Sequence, residues 1–203
     1  MYLLPKEPNM IALLRQFTIL QRLILMLMLA AIGTVCFASF SINEQYNNLV
    51  EQKWQQNDAQ ISTAIGLIDA NKQLSDSNII TLSEAKSAAI HLFNQIHFNN
   101  DGYFIVLDRD GIVIANGADQ SSVSSKASVL FNTNNAVNLG MLIDKAKVQE
   151  SAKAEINFPN PATGKLEAKL VEVKQYQNWG WSIITGSNMS DVKEVMYSMA
   201  FDY

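Results

Sequence analysis

The chain has 203 residues, a formal net charge of −4 and 48 % hydrophobic residues, with only 17 % charged. That balance excludes a polyanion partner such as nucleic acid, and the single cysteine, Cys36, excludes an intramolecular disulfide framework or a multi-cysteine metal site. The length suits one ordinary domain plus something extra.

The apolar excess is concentrated in residues 23–42, LILMLMLAAIGTVCFASFSI, which carry no charge. At a helical rise of about 1.5 Å per residue this segment spans about 30 Å, the hydrocarbon thickness of a bilayer. Lys6, Arg15 and Arg22 against Glu7 precede it, and Glu44 and Glu51 follow, with Lys53 further on. The basic excess before the span places residues 1–22 in the cytoplasm and residue 43 onward outside. The competing reading is a signal peptide cleaved after Ala38, with Cys36 and Ala38 as its small residues. Against it, the leader is long, the apolar core is longer than a signal's, and Val35 stands where a lipoprotein signal requires a small residue. Both readings export the rest of the chain.

Beyond the span, Tyr46, Val50, Trp54, Ile61, Ile65 and Ile68 recur at helical spacing, which predicts a long amphipathic helix ending near Asp69-Ala70-Asn71. A second helix opens with the capping box Thr81-Leu82-Ser83-Glu84 and buries Leu82, Ala85, Ala89, Leu92, Phe93 and Ile96. The polar turn LSDSN, residues 74–78, joins the two as an antiparallel hairpin.

After Phe98 the period becomes extended. Tyr103 to Leu107 and Ile112 to Ala115 are two strands around the turn Asp108-Arg109-Asp110-Gly111, in which aspartates tolerate the bend and Gly111 can take positive φ. Residues 118–135 read as a surface loop from which Val129-Leu130-Phe131 dips inward. Residues 136–148 predict a short helix burying Val137, Leu142, Ile143 and Ala146. Strands follow at Ala154 to Phe158, Glu167 to Tyr176 and Trp181 to Thr185, separated by the turns Asn160-Pro161-Ala162-Thr163-Gly164 and Gln177-Asn178. Ser190 caps a last helix with Val192, Val195, Met196 and Met199 on one side. The expected class is therefore α+β: a transmembrane helix, a long helical hairpin, a PAS-like five-stranded antiparallel sheet with a helix inserted between its second and third strands, and a C-terminal helix.

The run Asn100-Asp101-Gly102-Tyr103-Phe104-Ile105-Val106-Leu107-Asp108 with Gly111 resembles the "dGYfFvxDxxG" hairpin of bacterial single-Cache sensor domains. Lys169-Leu170, Trp179-Gly180-Trp181, Thr185-Gly186 and Asp191 in a closing helix continue that resemblance, which covers about residues 20 to 200. It implies a Cache-like extracytoplasmic sensor over residues 43–200, the input module of a methyl-accepting chemotaxis protein or, less often, of a sensor kinase. It further implies a small-molecule ligand, commonly a short-chain carboxylate, no cofactor, a homodimer through the long N-terminal helix, and anchoring in the bacterial inner membrane. Such receptors continue into a second transmembrane helix and signalling domains, so the chain is either part of a longer receptor or an anchored stand-alone sensor. Four departures stand out: His97 replaces an arginine before the hairpin, Asn116-Gly117 replaces a His-Pro pair, Glu172 stands where a fourth-strand tyrosine is expected, and the tyrosine expected in the third strand falls near Ile156.

Five polar residues are the candidate ligand contacts: His97, Tyr103, Asn116, Lys126 and Lys169. His97 can donate a hydrogen bond and, when protonated, pair with an anion; the alternative is a capping histidine. Tyr103 offers its phenol or is a core aromatic with its hydroxyl at the rim. Asn116 is a pocket residue or turn chemistry with Gly117, while Lys126 lies in the inserted loop. Lys169 is a strand lysine, matched to the family's, or a solvated edge residue. Asp108 and Asp110 suggest a calcium loop, yet the further ligands of an EF-hand are missing. No nucleophile–base–orienter set and no P-loop is present, so the chain reads as a binding module and not an enzyme. The rival reading is an exported soluble small-molecule-binding protein released by signal cleavage.

Overall fold

The computed structural model describes residues 17–98, 102–130, 134–159 and 166–201. Expectations for Asn100-Asp101, for Phe131, for the side chains of Val129, Leu130, Val137 and Met199, and for the 160–164 turn fall outside that description.

The chain divides into two compact units, Met1–Asn47 and Asn48–Tyr203, and the boundary falls within helix α1, Ile19–Asp76. In the first unit the large apolar side chains from Leu20 to Ile42 are exposed, and α1 is the one helix among the described residues long and apolar enough to cross a membrane.

Helix α1 runs past the expected stop at residues 69–71. Lys72 pairs with Asp76 one turn on, and the last turn closes on Asn78 with φ 56°, where Ile79 N donates to Leu74 O at 3.0 Å. Asparagine tolerates this left-handed conformation and ends the helix. Helix α2, Leu82–Gln95, begins at the expected capping box: Glu84 N donates to Thr81 Oγ1 at 3.2 Å and Thr81 N donates to Glu84 Oε2 at 2.7 Å. Leu82 is a correction. At the first helical position it points outward and is 51 % exposed, while Ala85, Ala89 and Phe93 are buried.

The next correction concerns Tyr103. It belongs to a separate two-stranded ribbon, β1 (His97–Phe98) with β2 (Gly102–Tyr103), in which His97 pairs with Tyr103. The main hairpin is β3 (Ile105–Leu107) and β4 (Val113–Asn116), with a register shift between Val106 and Leu107. Its turn is built as the residues require: Asp108 Oδ1 accepts from the Asp110 and Ile112 amides at 2.9 and 2.8 Å, and Gly111 takes φ 74°.

A short helix α3 (Ala127–Leu130) and helix α4 (Asn134–Gln149) lead into β5 (Ser151–Pro159), β6 (Leu166–Tyr176) and β7 (Trp181–Asn188). Helix α5 spans Ser190–Phe201. The sheet is antiparallel throughout, in the order β4-β3-β7-β6-β5.

Strand alternation divides the core in two. One face packs Phe104, Val106, Tyr176, Trp181 and Ile183 against Ile61, Ala64 and Ile68 of α1 and Ala85, Ala89 and Phe93 of α2. The other turns Ile105, Leu107, Val171, Val173 and Ile184 toward Leu139, Leu142 and Ala146 of α4. Between β6 and β7, Gly180 at φ 68° lets the Arg109 side chain lie over the turn; a Cβ there would meet Arg109 Nε at 2.1 Å. Trp179 and Trp181 stack edge to face across it, centroids 4.8 Å apart.

Candidate ligand-binding site

On the α4 face the neighbouring strands β3, β7 and β6 present Ile105, Ile184, Gly186, Val171 and Lys169 around a narrow hollow of about 20 Å³, part of it open to solvent. Tyr103 and Thr185 complete the lining. The hollow exists because the strands change side-chain size here: Gly186, opposite Val171, contributes no side chain.

Lys169 defines the electrostatics. The residue is 6 % exposed, and its Nζ stands 5.3 Å from the centroid of the Tyr103 ring. An ammonium held over an aromatic face is attracted by the ring quadrupole, which offsets part of its lost hydration. Thr185 Oγ1 donates to Tyr103 O at 3.2 Å, tying β7 to the ribbon that carries the aromatic ring. Apolar walls, one buried cation and a phenol suit a small anion with an apolar end.

The structure brings together Tyr103 and Lys169 and sets the other three candidates apart. His97 is exposed, with Nε2 2.9 Å from Gly117 O and Nδ1 3.0 Å from Gln95 O, so its ring bridges the end of α2 to the chain leaving β4. Asn116 is buried and engaged on every side. Its Nδ2 donates to Ser122 Oγ at 2.8 Å, its Oδ1 accepts from Ala118 N at 3.0 Å, and its own amide donates to Asn94 Oδ1 at 3.0 Å. Lys126 is exposed beside β4, where its backbone bridges Ile112. Four strand spacings separate that backbone from β6, about 19 Å across the sheet.

Two residues escaped the sequence reading. Thr185 was visible only as part of the Thr185-Gly186 pair. Glu172, a single acid in the apolar run Leu170–Val173, is fully buried on the opposite face. A second, open hollow of about 410 Å³, lined by Gly66, Asp69, Lys72, Asp76 and Asn178 among others, lies along α1. Its lining is exposed or half-exposed, and the nearby Tyr176 hydroxyl already donates to Asp69 Oδ1 at 2.6 Å. Burial first, then that hydrogen bond, pushes the Tyr176 phenol up to about 12. Among the described residues no group of His, Cys, Asp and Glu is arranged to hold a metal ion.

Residues 49–202 match the family model described as Single Cache domain 2. Among solved structures, the chain is similar to the periplasmic sensor domain of a chemotaxis protein, with TM-score 0.62, 21 % identity, and 69 % of this chain and 96 % of that one covered. A Cache chemosensory domain, whose structure concerns carboxylic acid recognition, aligns at TM-score 0.63 and 17 % identity over 70 % of this chain and 97 % of its own. A methyl-accepting chemotaxis protein from Vibrio parahaemolyticus aligns at TM-score 0.60 and 23 % identity, covering 75 % of this chain and 99 % of that one.

Proposed function

The chain belongs to the single Cache domain 2 family, and from that premise we propose that residues 43–200 are the extracytoplasmic ligand-sensing module of a membrane chemoreceptor, anchored by residues 23–42. The ligand is a small anion of the short-chain carboxylate class, bound with its charge at Lys169 and Tyr103 and its apolar end against Ile105, Val171 and Ile184. The observation that carries this is the buried Lys169 ammonium at the wall of an otherwise apolar hollow. The positive potential of a buried ammonium favours an anion, and because the hollow admits little more than one water-sized group, a small carboxylate enters by moving the side chains that line it.

Helix α1 is the element through which occupancy is passed on, because it lends Ile61, Ala64 and Ile68 to the sheet's other face and is common to both units of the chain. A ligand that prefers one arrangement of sheet and helix shifts α1 by its difference in affinity between the two. Pairing of two copies along α1 completes the reading, and light scattering of the detergent-solubilised chain is expected to give twice the chain mass.

The test is a thermal-shift screen of the full chain in detergent against short carboxylates, amino acids and amines. Carboxylates are expected to raise the melting temperature, and Lys169→Met to remove most of that rise. A carboxylate shift that survives Lys169→Met overturns the site. For the anchor, mass spectrometry of the membrane-extracted protein is expected to retain residues 23–42; an N-terminus at Ser39 overturns it.

A further inference from the structure

Strand β6 carries a second buried charge that ligand binding does not use. Alternation turns Glu172 away from Lys169 and Val171, toward α1. It is 0 % exposed, and neither carboxylate oxygen has a hydrogen-bond partner. Its cation is Lys153, directly opposite on β5, with Nζ 3.4 Å from Glu172 Oε2. That lysine is 39 % exposed and also lies 5.9 Å from the Trp54 ring of α1. On the same helix Asp58, exposed, follows Asn57, whose Nδ2 donates to Leu170 O of β6 at 2.9 Å, and stands one turn beyond Trp54, which sets a second carboxylate on the Glu172 side of the strand. By alternation, the remaining charged neighbours on this face are Glu155 on β5, exposed, and Lys174 on β6, half-buried; Thr185, opposite on β7, is uncharged.

An ionised carboxylate in this place is poorly served. It has left water, it accepts no hydrogen bond, and its one close cation still shares its charge with solvent. Burial therefore pushes the Glu172 carboxyl above its ordinary 4.5; Lys153 opposes the rise and Asp58 adds to it.

We propose that Glu172 and Asp58 form a proton-controlled clasp between α1 and β6. As the pH falls, Glu172 takes one proton from solvent and donates it in a hydrogen bond to the Asp58 carboxylate. Repulsion between two anions is replaced by a contact that fastens the helix to the sheet. As the pH rises the proton leaves, and Lys153 alone restrains the buried charge. The clasp stands apart from the ligand reading, because it lies on the other face of β6 and needs no occupant in the hollow.

The sign follows from linkage. A carboxyl that binds its proton more tightly folded than unfolded stabilises the fold fully below its unfolded value of 4.5, and that contribution is lost as the pH rises through the folded value. The experiment is thermal unfolding of the full chain in detergent from the acid range to neutrality, for wild type and Glu172→Gln, with a carbon-13 titration of the Glu172 carboxyl in the wild type and in Asp58→Asn. Wild type is expected to lose melting temperature with rising pH more steeply than Glu172→Gln, which melts higher at neutrality. The Glu172 carboxyl is expected to titrate above 4.5, with a lower midpoint in Asp58→Asn. Equal slopes for wild type and Glu172→Gln, a midpoint at or below the ordinary value, or a midpoint indifferent to Asp58→Asn each overturn the clasp. Should Glu172→Gln fail to fold, the two titrations decide alone.

Discussion

On the face toward α1 and α2, the sheet meets a closed apolar core in which Phe93 stands edge to face with Phe104, centroids 5.5 Å apart. On the face toward α4, the same strands leave a hollow of about 20 Å³ with a buried lysine at its wall. Strand β6 serves both: Lys169 points to the hollow, and Glu172, three residues on, points to the closed side. The contrast separates two ways of tolerating a buried charge. Beside a hollow, a cation's field also reaches whatever water or small molecule enters. Within a closed core, an anion has only fixed neighbours and its own protonation to settle it.

The largest effect is expected from emptying the closed face. Phe93→Ala should cost about 3–5 kcal/mol in chemical denaturation, the range for deleting a buried aromatic. Ile184→Ala, at the wall of the hollow, should fall near the lower end of the aliphatic range, about 2 kcal/mol, because the new space joins an existing opening. Equal losses at the two sites would erase the distinction between a packing face and a binding face.

Next comes the lysine. Lys169→Met keeps an unbranched stem and removes the charge, so stability should change by no more than about 1 kcal/mol while the affinity for a carboxylate falls roughly tenfold to a hundredfold. Calorimetric titration reads the second number and denaturation the first. A large fall in stability with unchanged affinity would make Lys169 a structural residue.

The two faces were unequally legible in the sequence. The helix face was written in periodicity: Ile61 and Ile68, then Ala85, Ala89 and Phe93, recur at helical spacing, and all are buried. The capping box and the Asp108–Gly111 turn were equally plain, because each depends on a few consecutive residues. Helix α1 was read short since the helix end depends on the φ of one asparagine, Asn78, which composition does not display. The hollow was legible only in part. Tyr103 and Lys169 meet across strands far apart in the chain, and the break that places Tyr103 in its own ribbon comes from pairing with His97. Glu172 stood out in the sequence only as the residue in place of an expected tyrosine, with no sign that its side of the strand is dry. Only the arrival of α1 makes that side dry.

A smaller effect is expected from Thr185, which touches both concerns. Its hydroxyl holds Tyr103 O, so Thr185→Val removes one hydrogen bond and leaves a half-buried carbonyl to find water. The cost should be about 0.5–1.5 kcal/mol of stability. A fall in carboxylate affinity should accompany it, since the Tyr103 ring loses its tether. Unchanged affinity would show that the ring is held by packing alone.

The smallest effect, and the one that separates a surface carboxyl from a buried one by pH, concerns two glutamates. Glu84, in the exposed capping box, accepts from the Thr81 backbone amide first and from its hydroxyl second, and both hold its carboxyl below the ordinary 4.5. Its contribution is present above 4.5 and is lost as the pH falls through the lowered folded value. Glu172 acts in the opposite sense and in the adjoining window, above 4.5. Glu84→Gln should therefore lower the melting temperature slightly at neutrality and flatten only the acid limb of the profile. Glu172→Gln should flatten only the limb above it. Melting curves for the double variant should lose both slopes together, because the two side chains lie on different elements and share no partner. A single substitution that flattens both limbs would mean that the cap and the sheet interior titrate as one coupled group.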